Sequence, residues 1–280
     1  MSTPSVDRAV SADGIEIAYV TSGQGPPVVL VPGGLTDHRT WDLMRPYLEP
    51  HVTVHAMDPR GRGDSGEGPE YAIERECEDV AAVVDAVADV SGSRVAVYGH
   101  SHGGACAYGA ATLTSNIDAL MLYEGWPPPN PGDFDWPPEV LGQIDQAVAA
   151  GHHEALADRF VTGLVDWYAS EGATEQQCDR IREWYRTLQP LHVDPRVLRV
   201  WSSVDGDPLT FDPEQAARIA VPTLLQVDSA VPVWSSWVDV VAEALPDARV
   251  SRFDGQYHHA VCLSPQAVAE DLLAFLRERR

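Results

Sequence analysis

The 280-residue chain contains no lysine, and all nineteen of its cationic side chains are arginine. Chemistry that needs a primary amine is therefore excluded: no Schiff base, no pyridoxal phosphate anchor, no phosphate-loop lysine. Cysteine is sparse as well. Cys77, Cys106, Cys178 and Cys262 stand far apart with no C-x-x-C pair. That spacing fits neither a zinc site nor a disulfide framework, and buried thiols are the expectation. The ten histidines include "HH" at 152–153 and 258–259. None falls in an H-E-x-x-H or comparable ligand spacing, so neither a metal nor a cofactor is expected.

Positive charge as a whole is scarce: 19 basic residues face 42 acidic ones, a net charge of −23. Phosphate backbones and anionic bilayers would be repelled, so neither nucleic acid nor membrane is an expected partner. Solubility is the plain role of such a charge. No stretch approaches the ~18–20 continuous apolar residues of a membrane span. The opening "MSTPSVDRAVSADG" lacks the apolar core of a signal peptide, so the expected location is the cytoplasm. The expected partner is a small-molecule substrate, and the oligomeric state stays open.

With 44% hydrophobic and 22% charged residues the composition is that of a globular protein. Short β-branched runs alternate with helical stretches through the first half. Strands are expected at 16–20, 28–31, 52–57, 94–98 and 117–123, with helices near 74–90 and 103–114. Such alternation builds an α/β fold, a mostly parallel central sheet with helices on both faces. The pattern breaks at "EGWPPPNPGDFDWPPE" (124–139), where dense proline stops helix and sheet alike. Helices and turns are expected from about 140 to 217. Strands resume at 221–228 and 248–253, and an amphipathic helix closes the chain at 265–279. Residues 1–125 and 218–280 therefore read as the core domain, and 126–217 as a helical insertion.

At 98–104 the chain reads "YGHSHGG". Gly99-His100-Ser101-His102-Gly103 is a G-x-S-x-G elbow, flanked by strand and helix as that motif requires. The turn holds the serine in a strained conformation and projects its hydroxyl above the sheet. A side chain at Gly99 or Gly103 would crowd the neighbouring strand and helix. The helix N-terminus also favours negative charge developing nearby. A serine that merely caps the helix is the competing reading.

Several further segments resemble the α/β-hydrolase superfamily in order along the chain. They are "VVLVPGGLTDHRTWD" (28–42), "MDPRGRGDSG" (57–66), "PTLLQVD", "ALPDARV" and "GQYHHAV". The serine-nucleophile members that this chain resembles include esterases and zearalenone-type lactonases. The resemblance implies Ser101 as nucleophile, with the backbone N–H groups of His102 and Gly34 as the oxyanion donors and Leu35 beside Gly34. It places the base in "GQYHHAV", at His258, with His259 one register away as the alternative. The usual acid position after "PTLLQV" holds Val231, and the nearest carboxylate there is Asp228. Glu124, at the end of the 117–123 strand, is preferred, because some branches, those lactonases included, carry their acid there. Pairing of Glu124 with an arginine such as Arg94 is the structural alternative.

By the same resemblance, 126–217 is a helical cap over the serine. It contains Trp126, Trp136, Trp167, Trp184 and Trp201. Trp126, Trp136 and Trp184, with Leu35, are the candidate substrate-binding residues, suited to a bulky apolar or aromatic molecule. The implied activity is cofactor-independent hydrolysis of a carboxylic ester or lactone through a Ser-His-Glu triad. A non-catalytic binding protein, or a cofactor-free oxygenase or lyase on the same scaffold, stands as the alternative.

Overall fold

The computed structural model describes residues 5–69, 71–129, 153–189 and 210–279, together with positions 142, 146, 149 and 150. Eight strands form one sheet: β1 (Ser5–Val10), β2 (Glu16–Gly23), β3 (Pro27–Val31), β4 (Thr53–Met57), β5 (Val95–His100), β6 (Ile117–Tyr123), β7 (Thr223–Asp228) and β8 (Ala248–Phe253). Their order across the sheet is β1-β2-β4-β3-β5-β6-β7-β8. The β1–β2 and β2–β4 pairs are antiparallel, and every pair from β4–β3 onward is parallel. Every residue of β3, β5 and β7 is buried. These strands are covered on both faces and read as continuous apolar runs for that reason.

Six longer helices are present among the described residues: α1 (Ile73–Ser91), α2 (His102–Ala110), α3 (His153–Ser170), α4 (Glu175–Thr187), α5 (Pro232–Ala244) and α6 (Pro265–Glu278). Helix α1 buries Ile73, Cys77, Val80, Val84 and Val87, a helical stripe against the sheet, and stops at Gly92, whose φ of 66° suits glycine. On β8, Ser251 bonds Asp271 of α6, while the adjacent Arg252 bonds Asp239 of α5. Alternating side chains thus place α5 and α6 on opposite faces. The four cysteines are free and buried. No helix among the described residues is long and apolar enough to cross a membrane.

The expected strands and helices of the core coincide with β2 to β8 and with α1, α2 and α6, apart from shifts at their ends. Two elements have no counterpart in the sequence reading. Strand β1 is mostly exposed, so it carries no apolar run to announce it. Helix α5 follows β7 directly, and its Trp234, Trp237, Val238 and Val241 are buried. Between β6 and β7 the described residues form α3, α4 and a short turn at Pro213–Ala216, with no strand. Arg39, from the loop after β3, donates to the Leu188 and Gln189 carbonyls at the end of α4, at 2.6 and 3.2 Å.

Two glycines give the fold a sharp stability test. A Cβ on Gly103 would stand 2.1 Å from the Pro32 carbonyl oxygen and 2.6 Å from that of Val31. Both obstacles are backbone and cannot swing aside. Gly103→Ala should therefore cost about 3 kcal/mol, at the upper end of overpacking penalties. A Cβ on Gly163, at an exposed position of helix α3, meets nothing within 4 Å. Gly163→Ala should stabilise by up to about 1 kcal/mol. Denaturant midpoints of the two variants moving in the same direction would contradict this packing.

Candidate active site

Strand β5 ends at His100, and Ser101 turns the chain into α2 with φ 54° and ψ −129°. Among the described residues only three other than glycine have positive φ: Ser101, Glu124 at 42° and Tyr257 at 53°. Backbone strain of this kind persists only where the surroundings over-determine it. All three residues stand at the C-terminal end of the sheet, around one point.

Close packing explains how they meet. A Cβ on Gly125 would lie 2.6 Å from the Ser101 carbonyl oxygen and 2.7 Å from Gly104 Cα, so the chain leaving β6 runs directly against the elbow. The Ser101 N–H donates to the Tyr123 carbonyl at 2.9 Å, and the Glu124 N–H to the Gln226 carbonyl at 3.0 Å. Glu124 is fully buried. Its Oε1 accepts the Asp228 N–H at 2.8 Å, and its Oε2 lies 2.6 Å from His258 Nδ1. Burial pushes the Glu124 carboxyl well above the ordinary carboxylate range, against the pull of the Asp228 N–H. Its Oε2 is placed by the fold to accept the Nδ1–H of His258.

His258 follows Tyr257 on a short helical turn. Its ring stacks on Trp234 at 5.7 Å with 5° between planes. Burial lowers its pKa to about 4, so the ring is neutral at pH 7 and able to take a proton. His100, the residue before the serine, donates from Nε2 to the His258 carbonyl at 2.8 Å and so ties the elbow to the loop that carries His258. Burial takes His100 to about 3. Its Nδ1 is buried with no hydrogen-bond partner. Ser101 Oγ makes no hydrogen bond to His258 in this structure. Contacts of that kind commonly close only around bound substrate.

The competing residues have other occupations. Asp228 accepts the Ala230 N–H at 2.8 Å and the Gln256 N–H at 2.7 Å, and so holds the turn after β7 to the loop before His258. Arg94 bonds the Ser115 and Ile117 carbonyls rather than Glu124. His259 lies between Tyr168 of α3 and Tyr185 of α4, with Tyr168 Oη 3.0 Å from Nδ1 and Tyr185 Oη 3.0 Å from Nε2. Gln177 of α4 also donates to the Gly255 carbonyl at 2.6 Å. Helices α3 and α4 are thereby fastened to the loop that carries His258. The role of His259 was beyond sequence reasoning, since its tyrosine partners lie 74 and 91 residues away.

Gly33 and Gly34 follow β3 beside the serine: a Cβ on Gly33 would stand 3.7 Å from Ser101 Cβ. His102 opens α2, whose first-turn donors face out of the helix end. Leu35 is buried at 6% exposure. Trp126 is buried edge-on to Trp234 at 5.5 Å, and Trp184 is buried edge-on to His259 at 5.7 Å. Trp136 lies outside the described residues.

Among the described residues two clusters gather three groups able to ligate a metal: Glu76, His102 and Cys106, and Asp37, His38 and Asp58. Both are engaged internally. Arg62 Nη2 stands 2.5 Å from Glu76, Arg39 donates to Asp37, and His38 donates its backbone N–H to Asp58. A cation at Glu76 would face that guanidinium at contact distance, so the donor set does not fit one.

A model of the alpha/beta hydrolase family matches residues 28–271. The chain is 26% identical to the 2-hydroxy-6-oxo-6-(2'-aminophenyl)hexa-2,4-dienoic acid hydrolase of Metapseudomonas resinovorans, over 98% of this chain and 92% of that one. It is 35% identical to the 2-hydroxy-6-oxo-2,4-heptadienoate hydrolase of Pseudomonas putida, over 71% of this chain and 83% of that one. Among solved structures, one described as an alpha/beta hydrolase from Sphaerobacter thermophilus superposes with a TM-score of 0.74 at 31% identity. That superposition covers 96% of this chain and 100% of the other.

Proposed function

The chain belongs to the alpha/beta hydrolase family, and we propose that it is a serine hydrolase of a carboxylic ester or lactone, acting through Ser101, His258 and Glu124. The observation that carries this reading is the 2.6 Å contact between Glu124 Oε2 and His258 Nδ1, formed where the strained Ser101 elbow meets the end of β6. Ser101 Oγ attacks the substrate carbonyl while His258 Nε2 takes its proton. Glu124 holds the Nδ1–H and stabilises the imidazolium as it forms. The carbonyl oxygen, now anionic, is received by the Gly34 and His102 amides. His258 returns the proton to the leaving alkoxide, which departs and leaves an acyl-serine. Water, deprotonated by the same imidazole, then releases the acid.

Residues 126–217 act in this reading as a cap, anchored through Tyr168, Tyr185 and Gln177. Leu35 and Trp184, each with a little exposed surface, would supply apolar wall for a bulky or aromatic substrate, while Trp126, fully buried against Trp234, packs behind it. Two relatives are named for 2-hydroxy-6-oxo dienoic acids, so one such compound belongs in the substrate panel beside esters and lactones.

A fluorophosphonate followed by mass spectrometry tests the nucleophile: one adduct, located on Ser101, is expected. A folded protein that takes no label would favour a binding role instead. The pH profile tests the base. Because burial lowers His258 to about 4, the active neutral form is lost only when pH falls below that region. The acid limb of kcat/KM should therefore lie below pH 6, with a plateau through neutrality. His100 and His259, the neighbouring rings, are also shifted downward by burial and add no limb near pH 7. A limb centred above pH 7 would show that the Glu124 anion outweighs burial.

A further inference from the structure

Beneath the elbow lies a buried polar cluster that the mechanism above does not use. Glu76 sits in the apolar stripe of α1 at 3% exposure, beside Ile73, Cys77 and Val80. Its Oε1 accepts from Arg62 Nη2 at 2.5 Å and from the Tyr71 hydroxyl. Its Oε2 lies 3.0 Å from His102 Nε2 and 3.6 Å from Cys106 Sγ. Burial opposes the charge, yet Arg62 and His102 hold the carboxyl well below its ordinary range. A buried carboxylate is costly, and so many partners gathered on one invite the question of what they reach.

They reach both sides of the oxyanion site. Arg62 Nη1 donates to the Gly34 carbonyl at 2.8 Å and towards that of Gly33 at 3.4 Å. In a trans peptide the C=O and the following N–H point in opposite directions. Holding those two carbonyls on one side, that of Gly33 together with the Thr36 N–H at 3.2 Å, therefore turns the Gly34 and Leu35 N–H groups to the other side. Two consecutive glycines have no side chains to fix that orientation by packing, and glycine is the most permissive of residues in its backbone. On the opposite arm, His102 is the residue after the nucleophile, so its side chain anchors the segment whose amide is the second donor.

We propose that Glu76 is a positioning residue: by gripping Arg62 and His102 together it sets the separation and direction of the backbone donors at Gly34 and His102. This rests on the serine-hydrolase reading for its catalytic consequence, but the loop geometry it asserts is independent of that reading.

The test is Glu76→Gln, read with p-nitrophenyl acetate and by amide hydrogen exchange. Losing one oxyanion donor outright costs about 10²–10³ in kcat. Misaiming the donors should cost kcat about 30-fold while KM stays within about twofold, the mark of an interaction made in the transition state. Amides 33–35 should exchange at least about tenfold faster, with those of α6 unchanged, a local loosening that a general loss of stability would not produce. Because Glu76→Gln removes the Glu76 charge from a buried Arg62 and so threatens folding, Arg62→Met combined with Glu76→Met removes both charges together. That double variant should melt near the wild type and still show the low kcat and the fast loop exchange. Recovery of kcat to within about threefold of wild type in the double variant would overturn the proposal, reducing Glu76 to a neutraliser of Arg62. Unchanged exchange at 33–35 would overturn it equally. A wild-type protein that neither hydrolyses the ester nor takes the fluorophosphonate would defeat the hydrolase reading, and loop exchange would still decide the clamp.

Discussion

Replacing Ser101 by alanine should leave a folded protein whose ester turnover is lower by about 10⁴-fold or more. In the proposed reaction the loss is large because Ser101 alone forms the acyl intermediate, while His258 would supply only proton transfer and the backbone donors only charge stabilisation. Stability should hardly change, since serine and alanine are equally ill-suited to a φ of 54°. Ser101→Gly separates strain from chemistry. It should be just as inactive yet more stable by about 1–2 kcal/mol, the order of a relieved left-handed residue. Denaturant titration of the two variants beside the wild type checks the ranking. Turnover of Ser101→Ala at a tenth of wild type would remove the serine from the reaction.

Glu124→Gln should lower kcat by about three to four orders of magnitude, the scale of losing a triad carboxylate while its shape is kept. The surroundings dictate which way the new amide turns. The Asp228 N–H, 2.8 Å from Oε1, needs an acceptor and will hold the amide oxygen. The NH₂ group is then forced towards His258 Nδ1, which can meet it only as an unprotonated acceptor. His258 is left in the tautomer whose Nε2 carries a proton, unable to take one from Ser101. Melting temperatures measured alongside separate lost activity from lost fold, since Glu124 also accepts the Asp228 N–H. Asp228→Asn should cost less than about tenfold in kcat. It keeps one acceptor for the Ala230 and Gln256 N–H groups but sits outside the proton path. The opposite ranking at equal stability would transfer the acid to Asp228.

What could be read from the sequence alone was local. Parallel strands buried on both faces announce themselves as apolar runs, and the amphipathic α1 by its period. The elbow is legible because its three devices, strand end, glycine spacing and helix start, occupy ten consecutive residues. Strand β1 escaped because an exposed edge strand has no such signature. The acid could not be chosen by spacing. Glu124 and Asp228 both end strands at the same edge of the sheet, and β6 and β7 are neighbours. Only the packed chain sends one carboxylate to the imidazole and the other to backbone amides. His258 and His259 differ by a single register, and the tertiary structure separated them by giving one to Glu124 and the other to Tyr168 and Tyr185. Glu76 reads in sequence as an ordinary polar residue on a helix. Its contacts with Arg62 and His102 span 14 and 26 residues and exist only once α1, α2 and the loop after β4 close on one another. Local pattern determines which elements form, because propensity and burial act over a few residues. Which side chains share a proton is decided by distances that only the folded chain creates.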